Sequence, residues 1–165
     1  HLLFLLALLI ICRNWKDAAL IITCFTFAHS ITLSLAALEL VSVSANWVEL
    51  IIALTIIYVG LENLYFKHKP KHRWLLTSTF GLIHGLGFAN VLLGLGLGST
   101  GAPIFLPLLA FNLGVEIGQL LLSALALPML WYLFRFNWYK QAALPMLSIA
   151  IVATGSVWAF ERLII

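Results

Sequence analysis

The feature that most constrains this chain is a succession of apolar segments long enough to cross a lipid bilayer. Of its 165 residues, 63% are hydrophobic and 9% are charged, whereas about a quarter of the residues in an average soluble domain are charged. The chain therefore cannot cover a folded core with a water-facing surface. Because roughly 20 apolar residues of helix cross the ~30 Å hydrocarbon layer, the sequence predicts an integral membrane protein.

The apolar segments predict an all-α bundle of about six transmembrane helices, forming one membrane domain over residues 1–165. The predicted segments are His1–Cys12, Asp17–Leu40, Trp47–Phe66, Trp74–Leu97, Pro103–Phe134 and Gln141–Ile164. Helices are expected because backbone amides in lipid must bond within the segment, and the segments lack the two-residue alternation of barrel strands. The first segment is only about 18 Å long as a helix, so we expect the sequence to begin partway into a first helix.

Basic residues predict the orientation of the bundle in the membrane. They occur after the first, third and fifth segments, as Arg13 and Lys16, as Lys67, Lys69, Lys71 and Arg73, and as Arg135 and Lys140. The two alternate connections, 41–46 and 98–102, contain no lysine or arginine. The positive-inside rule then places the basic connections in the cytoplasm and both chain ends outside. No basic cluster is large enough to indicate a nucleic-acid partner.

Polar and ionisable residues inside the predicted helices are costly, so each is a functional candidate. They are Thr26, His29 and Ser30 in the second segment, Glu62 and Asn63 in the third, His84 in the fourth, and Asn112, Glu116 and Gln119 in the fifth. At 1.5 Å per residue, His29 and His84 lie roughly 15–18 Å from the cytoplasmic helix ends, near the midplane. A purely structural interpretation stays open, because polar side chains also join membrane helices by hydrogen bonds.

Spacing predicts how these helices present their polar and small residues. Asn112, Glu116 and Gln119 recur at i, i+4 and i+7, and therefore form one polar stripe. Two glycine pairs at i and i+4 predict close helix contacts: Gly81 and Gly85 beside His84, and Gly114 and Gly118 on the face opposite the stripe. Imidazole and carboxylate together suit divalent nickel, cobalt, zinc or copper. The residues alone thus predict a metal or proton site.

The sequences around these residues resemble the second branch of the HupE/UreJ family of bacterial membrane proteins. The similar strings are FTFAHSITL at Phe25–Leu33, YVGLEN at Tyr58–Asn63, GLIHGLGFA at Gly81–Ala89 and FNLGVEIGQ at Phe111–Gln119. HLLFLL at His1–Leu6 is similar to the end of the family's first-helix motif, in which Gly-x-Asp precedes the histidine. That acidic residue is not in this sequence, so a metal path that uses it would be incomplete here.

The resemblance implies a multi-pass protein of the bacterial inner membrane that is associated with nickel uptake. We therefore expect a permease for a divalent transition metal, with nickel first and cobalt, zinc or copper as alternatives, and with no tightly bound cofactor. His84, His29 and Glu116 would form a midplane metal site, with His1 at the outer mouth. Thr26, Ser30, Asn112 and Gln119 would complete a polar path. Lipid and the metal ion are the expected partners, together with a second copy or proteins of metalloenzyme maturation.

Glu62 and Asn63 are predicted to form an inner exit or a proton-coupling step. A buried ionised carboxylate must pair with a cation, accept hydrogen bonds or hold a proton. Because Lys67 and Lys69 lie at the interface, where long basic side chains extend outward, we expect hydrogen bonds from tyrosine or asparagine to Glu62.

Two other functions remain open from the sequence. Three histidines, a carboxylate and Ser30 could hold a catalytic zinc ion with an activated water, as in an intramembrane hydrolase. Alternatively, the polar residues could only join helices in a membrane assembly subunit.

Overall fold

The computed structural model describes residues 2–12, 14–65, 73–94 and 105–164. These residues form six α-helices without any strand, which confirms the predicted all-α bundle. The helices are α1 (Leu2–Leu9), α2 (Trp15–Ala37), α3 (Ala45–Tyr65), α4 (Arg73–Gly94), α5 (Phe105–Leu133) and α6 (Leu144–Ile164), with a π-helical turn at Tyr139–Ala143. Four helical segments of the described part are long and apolar enough to cross a membrane: Trp15–Ala37, Ala45–Tyr65, Leu106–Leu133 and Tyr139–Ile164.

Local hydrogen bonds fix both ends of α2. Asn14 caps the first turn, because its Oδ1 accepts from the backbone N–H of Asp17 at 2.8 Å while its Nδ2 donates to Asp17 Oδ2 at 2.7 Å. At the other end Glu39 adopts a left-handed backbone, with φ of 58°. The helix therefore ends at Ala37, before the predicted end at Leu40.

Glycines bring α2 and α4 into close contact. A Cβ atom at Gly81 would lie 2.5 Å from the carbonyl oxygen of Phe25, and one at Gly85 would collide with Thr32 Oγ1 and the carbonyl oxygen of His29. The two backbones approach so closely because neither glycine carries a side chain. This seam confirms the contact predicted for Gly81 and Gly85.

A second glycine seam joins α3 to α6. A Cβ atom at Gly60 would lie 2.7 Å from Val152 Cγ2, and one at Gly155 would lie 2.9 Å from Ile57 Cγ1. The bundle thus contains two closely packed helix pairs, α2 with α4 and α3 with α6.

Successive helices run in alternating directions. Along the contact between α2 and α5, Trp15 meets Trp131, Thr26 bonds to Gln119 and Leu33 packs near Leu108. As the residue numbers rise along α2, the numbers of their partners fall along α5, so these two helices are antiparallel. One end of the bundle lies where α3 ends and α4 begins. We call it the basic end, because the sequence between these two helices contains Lys67, Lys69 and Lys71. Which side of the membrane it faces stays a prediction.

The short helix α1 buries one face in the bundle, while Leu2 and Leu6 are 64% and 42% exposed. Phe4, Ala7, Leu8 and Leu9 are all at most 1% exposed. By contrast, α5 and α6 expose large apolar side chains, including Leu125 at 77%, Met146 at 69% and Phe160 at 65%. Apolar exposure of this extent on the outer helices is what a lipid-facing surface requires.

Candidate metal site between α2, α4 and α5

The α2–α4 seam carries His29 and His84 in the same layer of the bundle. His84 directly precedes Gly85, which faces the backbone of His29. Both imidazoles are buried, at 1% and 0% exposure, and the ring of Phe25 contacts both, with centroid distances of 5.9 Å to His29 and 5.3 Å to His84. The seam therefore brings the two predicted midplane histidines near each other in the interior.

The neighbours of His84 fix the protonation of its ring. Thr55 Oγ1 lies 3.0 Å from His84 Nε2 and also donates to the carbonyl oxygen of Ile52 at 2.7 Å. Because a threonine hydroxyl has a single proton, it accepts the bond from His84, whose Nε2 is then the protonated nitrogen. The lone pair lies on Nδ1, and Phe4 covers the ring at 4.6 Å.

A cavity of about 280 Å³ borders His29. Its lining includes Phe88 from α4 and Gln119 from α5, and Leu2 lies at its edge. The Asn112 side chain lies beside the His29 imidazole and donates to the carbonyl oxygen of Leu108 at 2.9 Å. His29 thus connects the buried seam to a partly open cavity, in which His29 and Gln119 are the polar side chains of a mostly apolar lining. His1, predicted to lie at the outer mouth, is outside the described residues.

Glycines on α5 line this cavity instead of packing against a helix. The sequence predicts a close contact for Gly114 and Gly118, and that prediction is wrong within the described chain, where nothing lies within 4 Å of a Cβ atom at either position. Both glycines border the His29 cavity. Their missing side chains therefore leave space beside the imidazole.

The predicted polar stripe of α5 faces α2. Thr26 Oγ1 donates to Gln119 Oε1 at 3.0 Å, and Thr23 Oγ1 donates to Glu116 Oε1 at 3.4 Å. Thr23 was missed by sequence reasoning, although its spacing of three residues from Thr26 places both on one helix face. Ser30 donates to the carbonyl oxygen of Thr26 at 2.7 Å, so its hydroxyl bonds within its own helix.

The predicted metal ligands that the structure describes, His29, His84 and Glu116, are not grouped around one point. Among the residues that the structure describes, no group of three or more His, Cys, Asp or Glu side chains is arranged to hold a metal ion. The contact of Glu116 is with Thr23, as described above. A site formed by His1, His29, His84 and Glu116 therefore stays a prediction, and the structure itself provides a buried imidazole pair.

Glu62 has a charged partner that the sequence did not predict. The sequence places Arg73 in the basic connection, but the structure buries it at 1% exposure as the first residue of α4, with Nη2 lying 3.4 Å from Glu62 Oε2. Arg73 also donates to Asn63 Oδ1 at 3.1 Å, and Asn63 Nδ2 donates to the carbonyl oxygen of Ala7 at 2.7 Å. The structure thus gives Glu62 an ion pair with Arg73 that the sequence did not predict.

These features define a polytopic helical membrane protein with a buried imidazole pair beside a partly open cavity. The sequence matches the HupE / UreJ protein family over residues 1–162, essentially the whole chain. The chain belongs to the HupE/UreJ family, which is a transporter-type family associated with metal transport. No curated protein and no solved structure gave a significant match.

Proposed function

We propose that this chain is a permease for a divalent transition-metal ion, with nickel as the first candidate, in the inner membrane of a bacterium. The family's association with nickel and cobalt transport supports the class of substrate. An ion gradient, the membrane potential or a partner protein would supply the driving force.

The observation that carries the proposal is the pair of buried imidazoles, His29 and His84, on two adjoining helices. Each is at most 1% exposed in the interior of a membrane bundle, where a polar side chain is costly and marks an ion path by default. Imidazole is a preferred ligand of nickel, copper and zinc. The hydrogen bond from His84 to Thr55 leaves Nδ1 as the nitrogen that would bind the ion.

The polar residues around the pair suggest a route for the ion. The ion would reach His29 from the cavity beside Gln119 and Asn112, with Thr26 and Glu116 along the α2–α5 contact. Glu62 lies seven residues beyond Thr55 on α3, about 10 Å nearer the basic end. It would receive the ion, or a coupling proton, after the imidazoles.

Release of the metal distinguishes transport from hydrolysis. Catalytic zinc sites use three protein ligands and an open position. Conduction needs binding that is favourable enough to load and weak enough to release. If the protein were an intramembrane hydrolase, zinc would stay bound through purification in a stoichiometric amount.

Metal uptake by intact cells tests the proposal. The full-length protein is expressed in a bacterial host that lacks its own nickel uptake, and cell nickel is measured at limiting external concentration. We expect uptake above the empty host, and loss of most of the gain in His29→Gln and in His84→Gln. His72→Gln is the control, because it removes a histidine from the basic stretch of the sequence. Protein in the membrane is quantified for every variant, so a fall in uptake is not mistaken for a fall in abundance.

A further inference from the structure

The basic end of the bundle contains a buried polar cluster that joins three helices. It consists of Ala7 on α1, Glu62 and Asn63 on α3, and Arg73 on α4, linked by the ion pair and hydrogen bonds given above. The side chain of Arg73 is 0% exposed and that of Glu62 is 5% exposed. A full positive charge is therefore held inside the bundle, at the last turn of α3.

This ion pair is poorly satisfied by its surroundings. Within the described part of the chain, Nε and Nη1 of Arg73 have no hydrogen-bond partner, and neither does Glu62 Oε2. A buried ion pair offsets its desolvation cost only with good geometry and further hydrogen bonds, and a guanidinium has five N–H donors to satisfy. As a purely structural link, the pair would need further hydrogen bonds to offset its desolvation.

We propose that Arg73 is the inner gate of the metal path, a tethered cation that occupies the Glu62 carboxylate until a transported cation displaces it. This inference rests on the proposed function and adds to it the device that keeps the path closed when no ion is bound. In the closed state the guanidinium neutralises the carboxylate that would otherwise attract cations from the basic side.

The same charge repels an ion that arrives from the histidines. At separations of about 4 Å, the repulsion between a single and a double positive charge exceeds thermal energy many times, even at an effective dielectric constant of about 20. The ion can pass only when the guanidinium leaves Glu62. Arg73 begins α4, so its long side chain can extend toward the membrane surface, as basic side chains at helix ends do.

Leak of cations through reconstituted protein tests the gate. The purified full-length protein is placed in vesicles of phosphatidylethanolamine and phosphatidylglycerol, and proton leak is followed with a trapped dye in the absence of metal. Efflux of preloaded nickel is measured separately. We expect Arg73→Gln to raise both leaks about tenfold or more, since the barrier charge is removed. Arg73→Lys keeps a cation near Glu62 and should retain most of the barrier.

Arg162→Gln is the matched control. Arg162 also pairs with a glutamate, Glu49, at 2.5 Å, but this pair is about 40% exposed and lies at the opposite end of the bundle. Its removal should leave both leaks at the wild-type level. Arg73→Gln alone leaves the Glu62 charge buried without its partner and can therefore misfold. The double variant Glu62→Gln/Arg73→Gln avoids this problem, because it removes both buried charges. It should fold and still leak more protons than the wild type.

The results distinguish failure of the gate proposal from failure of the permease proposal. Folded Arg73→Gln or double-variant protein with wild-type proton leak would overturn the gate. Wild-type protein that moves no nickel, in vesicles where the variants do leak protons, would overturn the permease and leave the barrier role of Arg73 supported.

Discussion

Thr55 is the residue that determines how His84 presents its nitrogens. Its hydroxyl donates to Ile52 and so must accept from His84 Nε2. A hydrogen bond on one ring nitrogen leaves the other nitrogen to bind the metal. Loss of such a bond lowers metal affinity or activity by roughly 10–100-fold. The chemistry of the site thus depends on a side chain that does not itself contact the metal.

Thr55→Val is the residue-scale prediction that follows. Valine has nearly the same shape but cannot accept the bond, so the His84 ring loses its fixed tautomer. We expect nickel uptake to fall roughly tenfold or more, while unfolding free energy falls by only about 1 kcal/mol. Uptake kinetics and thermal unfolding of the purified protein measure the two effects.

The control for this change is Thr154→Val. Thr154 bonds to the carbonyl oxygen of Ala150 within α6, at a lipid-side position away from the imidazoles. Equal losses of uptake in both variants would show that the Thr55 bond has no special role.

At the residue scale, the sequence drew attention to the two buried histidines but not to the partner of Glu62. His29 and His84 stand out because ionisable residues are rare in long apolar runs. Arg73 does not stand out, since it follows three lysines in the sequence and looks like one more interfacial charge. Only the three-dimensional approach of α3 to α4 shows that it turns inward to Glu62.

At the scale of helices, the α2–α4 seam positions the two imidazoles. The sequence predicted close packing for both glycine pairs, and the structure confirms it for Gly81 and Gly85 alone. Two glycines spaced at i and i+4 give a helix a flat face, but their spacing does not show which neighbouring helix that face contacts. Gly114 and Gly118 have the same spacing and instead open the cavity beside His29.

Alanine substitutions distinguish the two kinds of glycine. Gly85→Ala should destabilise the protein by about 1–3 kcal/mol, because its methyl group overlaps backbone atoms of α2 that cannot move aside. Gly114→Ala should leave the free energy of unfolding nearly unchanged, since its methyl group enters open space. Thermal unfolding in detergent gives the comparison, and a destabilisation by Gly114→Ala that matches that of Gly85→Ala would contradict the seam.

At the scale of the whole molecule, alternating helices divide the bundle into two ends with different charge. The order and number of helices follow from the apolar segments, because membrane crossing constrains length so strongly. Helix ends were less predictable, as at α2, where the Asn14 cap and the left-handed Glu39 set the limits. Orientation in the membrane depends on lipid and on the insertion machinery, so the sequence predicts it through the basic connections alone.

Reporter fusions test that orientation. A reporter inserted after Lys69 should report a cytoplasmic location, and one inserted near Ser99 should report an external location, because the lysine-rich connections remain on the cytoplasmic side. The opposite pair of readings would reverse the proposed direction from the His29 cavity to Glu62.

Nickel influx into vesicles that contain only the purified full-length protein is the most direct test of the imidazole pair. With an inside-negative potential and nickel outside, we expect saturable influx by the wild type and influx near that of empty vesicles by folded His29→Gln/His84→Gln. Influx by the double variant at the wild-type rate would contradict the account, since the ion would then cross the membrane without the buried histidines.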